Sequence, residues 1–302
     1  MPVRVALTPR TSTPQGWHMS SWVSQVTGAF SSPAARNPMV AMMRAAFADL
    51  GIDVEYLNCE VSALRLGDAV VGARAMGWLG FAVGSPHQTA VIRHLDGLAE
   101  SAAMIGSATV AARRGDAMIG ENAQGWAVTE SIDEFMDIEG ARAVLFGAGW
   151  AARAVAVELA RAGLRQLTIV NRTTSRAAGL ASSLSGVPGL AVDVVDWSDA
   201  FRLPPLTDVV VNATPVGGGV DGGLLNVVAD TLRSRMLVVD MVPTAMHTQL
   251  LKEASALGCE VIDGAEVMAN QGVLAVRLWT NADADAEVMR EALLPTLARL
   301  GT

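Results

Sequence analysis

The chain has 302 residues, 51% hydrophobic and 17% charged, with a formal net charge of −8, a length that predicts two domains with separate cores. The acidic balance, without a basic run carrying interleaved aromatics, argues against nucleic acid, and the longest charge-free stretch, residues 11–35, is too rich in Ser, Thr, Gln and Gly to span a membrane. The N-terminus has no basic segment followed by an apolar core, so a cytoplasmic location is expected, and Cys59 and Cys259 read as isolated buried thiols with no metal site.

In chain order, VRVALT (3–8), DVEYLN (53–58) and WLGFAV (78–83) read as strands. Between the first two, NPMVAMMRAAFADLG (37–51) repeats apolar residues at helical spacing and stops at a glycine. SATVAARRGDAMIGEN (107–122) places two extended runs around Arg114-Gly115-Asp116, which predicts a hairpin. After Asp137 the runs ARAVLF (141–146), QLTIV (166–170), LAVDVV (190–195), DVVVNA (208–213), MLVVDMV (236–242) and CEVID (259–263) are almost continuously apolar. Strands of a parallel sheet buried on both faces look like this. The expected fold class is therefore α/β: an N-terminal α/β substrate domain over 1–124, completed by C-terminal helices at 266–302, and a Rossmann-type doubly wound parallel sheet over 125–265.

The strongest chemical signal is VLFGAGWAARAV (144–155), where a strand runs through Gly147-Ala148-Gly149-Trp150-Ala151-Ala152 into a helix. This fits G-x-G-x-x-A: Gly147 permits the turn, Gly149 lets a pyrophosphate approach the backbone, and Ala152 lets the helix pack closely. The next strand ends in Asn171-Arg172-Thr173, with Arg176 one turn on, where NAD sites carry an acid. Two guanidiniums in its place favour a 2′-phosphate, hence NADP.

Beyond these patterns the chain resembles the shikimate dehydrogenase family. NRTTSRAAGLA (171–181) is similar to N-R-T-x-x-R-A, VVVNATPVGGG (209–219) to N-A-T-S/P-x-G, VVDMVPTAMHTQLL (238–251) to D-x-V-Y-x-P-x-x-T-x-L-L, and DGAEVMANQGVLAVRLWT (263–280) to D-G-x-x-M-L-x-x-Q-A…W-T. The resemblance implies that Asn212, Ala213 and Thr214 line the nicotinamide half of the cofactor crevice, and Met241 and Gly264 are further cofactor-binding candidates. It also implies that Gln271 points an amide at the substrate. Pro243 stands where Tyr is usual, and Trp150 where a third glycine is usual.

The N-terminal half resembles the same family with departures at the chemistry. FSSPAARNPMVAMMRAAFADLGIDVEY (30–56) is similar to S-x-S-P-x-x-H-N…G-L…Y, with Phe30 at the first serine and Arg36 at the histidine. Only Ser32 then remains of the pair that holds the substrate carboxylate. GFAVGSPHQ (80–88) is similar to G-x-N-V-T-I-P-H-K, with Ala82, Gly84 and Gln88 at the Asn, Thr and catalytic Lys. GENAQGWAV (120–128) keeps Asn122, implied to bind substrate, but has Gln124 for the catalytic Asp, while IGSATV (105–110) lacks an Asn.

An amide donates and accepts hydrogen bonds but does not exchange a proton near neutral pH. Oxidation of shikimate should therefore be nearly absent, and the paired glutamines read as a site retuned for a less anionic small molecule. Proton donors to consider are His87, beside Gln88, then Glu121, Tyr56 and His18; Trp17, Trp22, Trp78 and Trp126 are candidates for an aromatic pocket. The leading expectation is an NADP(H)-dependent oxidoreductase of a non-shikimate carbonyl, imine or alcohol. The alternative is a catalytically silent NADP(H)-binding protein, and either is compatible with a homodimer. A serine hydrolase is not expected, because no nucleophile elbow is found.

Overall fold

The computed structural model describes residues 25–198, 200–217, 223–243 and 248–300. The expected strand at 3–8, together with Trp17, His18 and Trp22, lies outside the described residues.

The first sheet begins with a strand that composition concealed, β1 (Gln25–Ser31), which lies between β2 (Val54–Glu60) and β3 (Gly80–Val83) in parallel register. Its Thr27 hydroxyl donates to the Gly80 carbonyl at 2.9 Å, so a polar residue meets its hydrogen-bond requirement inside the sheet. The expected hairpin is present as β5 (Val110–Arg114) and β6 (Ala117–Glu121), antiparallel to each other, with β5 also antiparallel to β3. With β4 (Gly97–Leu98) the order becomes β2-β1-β3-β5-β6-β4.

Helix α1 (Met39–Asp49) follows Pro38 and buries Met42, Met43, Ala46 and Phe47. Helix α2 (Leu66–Ala75) buries Leu66, Val70 and Ala73, and the short α3 (Glu100–Ile105) ends at Gly106 with left-handed φ. The C-terminal helices α8 (Gly264–Thr280) and α9 (Ala286–Leu300) pack back onto α1: Met42, Met43 and Phe47 share one core with Val276, Trp279, Met289 and Leu293. Asp263 caps α8 by accepting from the amides of Ala265 and Glu266, both at 2.9 Å.

The second sheet is wholly parallel, in the order β12-β11-β10-β7-β8-β9. Its strands are β7 (Arg142–Phe146), β8 (Gln166–Asn171), β9 (Ala191–Asp196), β10 (Val209–Asn212), β11 (Leu237–Asp240) and β12 (Glu260–Ile262). Taking β7 as first strand, this is the 3-2-1-4-5-6 order of a dinucleotide-binding sheet. One expectation fails in detail: β9 is an edge strand with half-exposed alternating residues, not buried on both faces. Helices α5 (Trp150–Arg161), α6 (Thr174–Ser183) and α7 (Gln249–Ala256) cover the sheet, and α4 (Ala123–Asp133) packs between α5 and α8. Among the described residues no helix is long and apolar enough to cross a membrane.

Candidate active site

At the carboxyl end of β7 the chain turns at Gly147, whose φ of +113° suits a residue without Cβ. Gly149, the N-cap of α5, provides no side-chain cap, and a Cβ built there would meet nothing within 4 Å. The first amides of α5 therefore point outward beside empty space, the arrangement that accepts a pyrophosphate. Ala152 is fully buried, as close packing of α5 on the sheet requires. Ala148 packs partly buried beside it, and Ala151 lies in the first turn of α5.

At the end of β8, Asn171 donates to the Thr173 carbonyl at 2.9 Å and shapes the turn into α6. Arg172 and Arg176 are exposed there and have no ion-pair partner among the described residues. The unspent amides and the two free guanidiniums fit a phosphorylated dinucleotide. Asn212 behaves differently from its neighbours. Its side chain is fully buried, donating to Asp240 and the Val216 carbonyl at 2.9 Å and accepting from the Thr214 amide and hydroxyl, so it shapes the turn containing Ala213 and Thr214. Asp240 also accepts from the Thr248 hydroxyl at 2.7 Å, and burial pushes its carboxyl up.

A cavity of about 460 Å³ lies between the carboxyl ends of the two sheets, lined in part by Ser32, Gln88, Gln124, Met241, Gly264 and Gln271. That volume suits a small ligand. Strand β3 leads into Gln88, the first turn of α4 presents Gln124, and α8 presents Gln271. All three glutamines are half-buried, and none of their side-chain amides has a hydrogen-bond partner among the described residues. Arg36 is the one charged residue on the described wall.

Gly84, at the family's Thr position, is explained locally: a Cβ there would sit 2.7 Å from that of Ser31. Gly84 and Ser31 are thus one steric arrangement. Ser31, Arg36, Asn37 and Thr109 also line the cavity. Arg36 and Asn37 had a sequence signal, the first as a departure from the family pattern and the second as a match to it; Ser31 and Thr109 join the wall through strand register and pairing.

Several expected residues are placed elsewhere. His87 is buried and its Nε2 lies 2.7 Å from the Val61 carbonyl, so it is not on the cavity wall. Asn122 caps α4, accepting from the amides of Gln124 and Gly125 and donating to Ser107, so its side chain is engaged by the protein rather than facing the cavity. Tyr56 is wholly buried, which raises its phenol pKa above the ordinary range, and Glu121 is half-buried with a carboxyl raised by the same cause. Neither lines the cavity. The expected aromatic pocket does not form from the described residues: Trp78 packs on Phe30 with centroids 5.6 Å apart, and Trp126 lies under the Arg277 guanidinium. Trp150 is half-exposed, its indole edge over Gly106 of the first sheet's half.

Residues 32–110 match the shikimate dehydrogenase substrate binding domain, residues 129–244 the shikimate / quinate 5-dehydrogenase family, and residues 264–294 the shikimate 5'-dehydrogenase C-terminal domain. The shikimate dehydrogenase (NADP(+)) of Methanopyrus kandleri is 37% identical over 91% of this chain and 96% of its own. The chain belongs to the shikimate dehydrogenase family. It is an oxidoreductase family, and its two-domain α/β architecture is the one seen here. Among solved structures, 5-ketofructose reductase of Gluconobacter sp. strain CHM43 is 41% identical, with a TM-score of 0.88 over 91% of this chain and 99% of that one. Shikimate 5-dehydrogenase of Listeria monocytogenes, in complex with shikimate and NAD, is 28% identical, with a TM-score of 0.84 over 89% of this chain and 96% of that one.

Proposed function

We propose that the chain is an NADP(H)-dependent reductase of an uncharged, hydroxyl-rich ketone, of the kind named in the Gluconobacter relative, and that it has little activity on shikimate. The observation that carries this reading is the free amides of Gln88, Gln124 and Gln271 around one cavity, where the family resemblance places a lysine and an aspartate at the first two positions.

The residues that would hold the cofactor are the amides of the Gly147–Ala151 turn, with Arg172 and Arg176 on the 2′-phosphate and the 213–214 turn, Met241 and Gly264 near the nicotinamide. Bound NADPH supplies the hydride equivalent. Gln88 and Gln124 offer N–H donors to the carbonyl oxygen, polarising it and stabilising the negative charge that develops there. A single donor of this kind is worth roughly 10²–10³ in rate. An amide does not relinquish its proton, so the new hydroxyl takes its proton from water in the cavity. Gln271 and Thr109 complete a wall suited to hydroxyl groups.

The test is NADPH consumption with 5-ketofructose and with 3-dehydroshikimate, followed by absorbance of the reduced cofactor. Turnover of the ketose with at least a hundredfold preference is expected. NADPH binding with no consumption by any ketone would instead support a silent cofactor-binding protein, the reading favoured if the two glutamines only hold a ligand. Absence of NADPH binding would remove both readings.

A further inference from the structure

We propose that Glu60 fixes the hydrogen-bonding polarity of Ser32, so that this end of the cavity receives a substrate hydroxyl and turns a carboxylate away. The parallel register of β1 and β2 sets Ser31 opposite Glu60, which brings the Glu60 side chain to the turn that follows β1. There the Ser32 hydroxyl donates to Glu60 Oε1 at 2.6 Å, and the Ala34 amide donates to Oε2. These two bonds, the Ser32 bond first, hold the Glu60 carboxyl below its usual range, so it is ionised at neutral pH.

A serine hydroxyl has one hydrogen. With that hydrogen committed to Glu60, Ser32 presents only lone pairs to the cavity it lines. A carboxylate also only accepts, so the two face each other without a hydrogen between them and with a negative charge behind the serine. A hydroxyl on the ligand supplies the missing donor. Phe30, at the family's other serine, offers no donor, because it points to the other face of β1 and stacks on Phe81 at 4.5 Å; Ser31, on the same wall with its hydroxyl unpaired, can donate or accept and so favours neither group. Arg36 is the opposing influence: it lies on the same wall, exposed and unpaired, and would draw an anion.

The inference rests on the reading above only in taking this cavity as the substrate site, and its test uses binding instead of turnover. Calorimetry would compare shikimate with the analogue carrying a hydroxymethyl group in place of the carboxylate, on the whole chain with NADP⁺. The wild type should bind the alcohol more tightly, and Glu60→Ala should move the acid-to-alcohol ratio by about tenfold toward the acid. Glu60→Gln keeps an acceptor for the Ala34 amide and serves if the alanine variant does not fold; Ser32→Ala should abolish the preference. NADP⁺ affinity should be unchanged in every variant. An unchanged ratio in the Glu60 variants, a wild-type preference for the acid, or no binding of either probe to any of these proteins overturns the proposal. A shifted ratio in a chain that reduces no ketone sustains it while removing the reductase reading.

Discussion

His87 Nε2 lies 2.7 Å from the carbonyl oxygen of Val61, 26 residues away in sequence, and this bond ties the loop after β3 to the segment after β2. A carbonyl only accepts, so Nε2 carries the hydrogen and donates it; Nδ1 is buried without a partner among the described residues. The ring thus serves the fold. His87→Ala should lower stability by about 1–3 kcal/mol, because it orphans a buried carbonyl and leaves a void. Its kcat pH profile should keep the wild-type shape. A calorimetric melt beside a pH–rate series checks both, and loss of a kinetic limb on mutation would return His87 to the chemistry.

Gly149 separates cofactor binding from folding. A side chain there meets no protein atom, so Gly149→Val should fold normally while its branched carbons fill the space in front of the α5 amides. NADPH affinity, read by fluorescence titration, should fall by about a hundredfold, or roughly 2.7 kcal/mol. Unaltered affinity would mean that the pyrophosphate lies elsewhere.

Arg172 and Arg176 are exposed and unpaired, so replacing both with alanine costs the fold little. The double variant should weaken NADPH binding by roughly ten- to a hundredfold through lost charge-assisted bonds, while NADH binding is hardly affected. The selectivity ratio is the measurement, and it should also shrink as ionic strength rises in the wild type. Equal losses for both cofactors would place these cations away from the 2′-phosphate.

The contrast between what was legible and what was not has physical causes. The Gly147–Ala152 turn could be read because strand, glycines and helix are consecutive, and the apolar runs at 141–146, 166–170, 208–213 and 236–242 because strands covered on both faces need no polar alternation. Strand β1 could not, since its Thr27 and Gly28 imitate a loop until the Gly80 carbonyl and the closely approaching Leu57 carbonyl are in place. His87 sits beside Gln88 in sequence, yet the two side chains part, one into the core and one to the cavity. The Ser32–Glu60 bond joins residues 28 apart through strand register, which no local pattern encodes.

Glu266, in the first turn of α8, has its carboxyl pushed up to about 7, by burial first and then by the charges of Asp263 and Glu134, with Arg290 opposing. Its folded pKa exceeds the unfolded value, so between the two the native state holds the extra proton. The contribution is therefore complete below about pH 4.5 and is lost as pH rises through about 7. The group is partly exposed, and after allowing for solvent screening the change amounts to about 1 kcal/mol, or roughly 2–4 °C in Tm. Glu266→Gln should remove this part of the pH dependence in melts between pH 5 and about 8. A variant curve that still follows the wild type across that range would assign the dependence to another group.

The two glutamines carry the sharpest kinetic expectation. Gln88→Leu removes a donor from the cavity while roughly preserving volume, and should lower kcat on the ketone by about 10²–10³ with a smaller change in KM, since the donor matters most once charge develops on oxygen. The described wall carries no carboxyl, imidazole, thiol, phenol or lysine amine, so the wild-type rate should vary little between about pH 6 and 9. Introducing Gln88→Lys with Gln124→Asp supplies a titrating pair and should add a limb to the profile, together with measurable oxidation of neutral secondary alcohols. The acid shikimate should remain a poor substrate in that double variant until Glu60 is also changed, because proton exchange and carboxylate recognition are set at different ends of the cavity. If the double variant oxidises shikimate as readily as neutral alcohols, the glutamines alone account for the altered specificity and the Ser32 end contributes nothing to it.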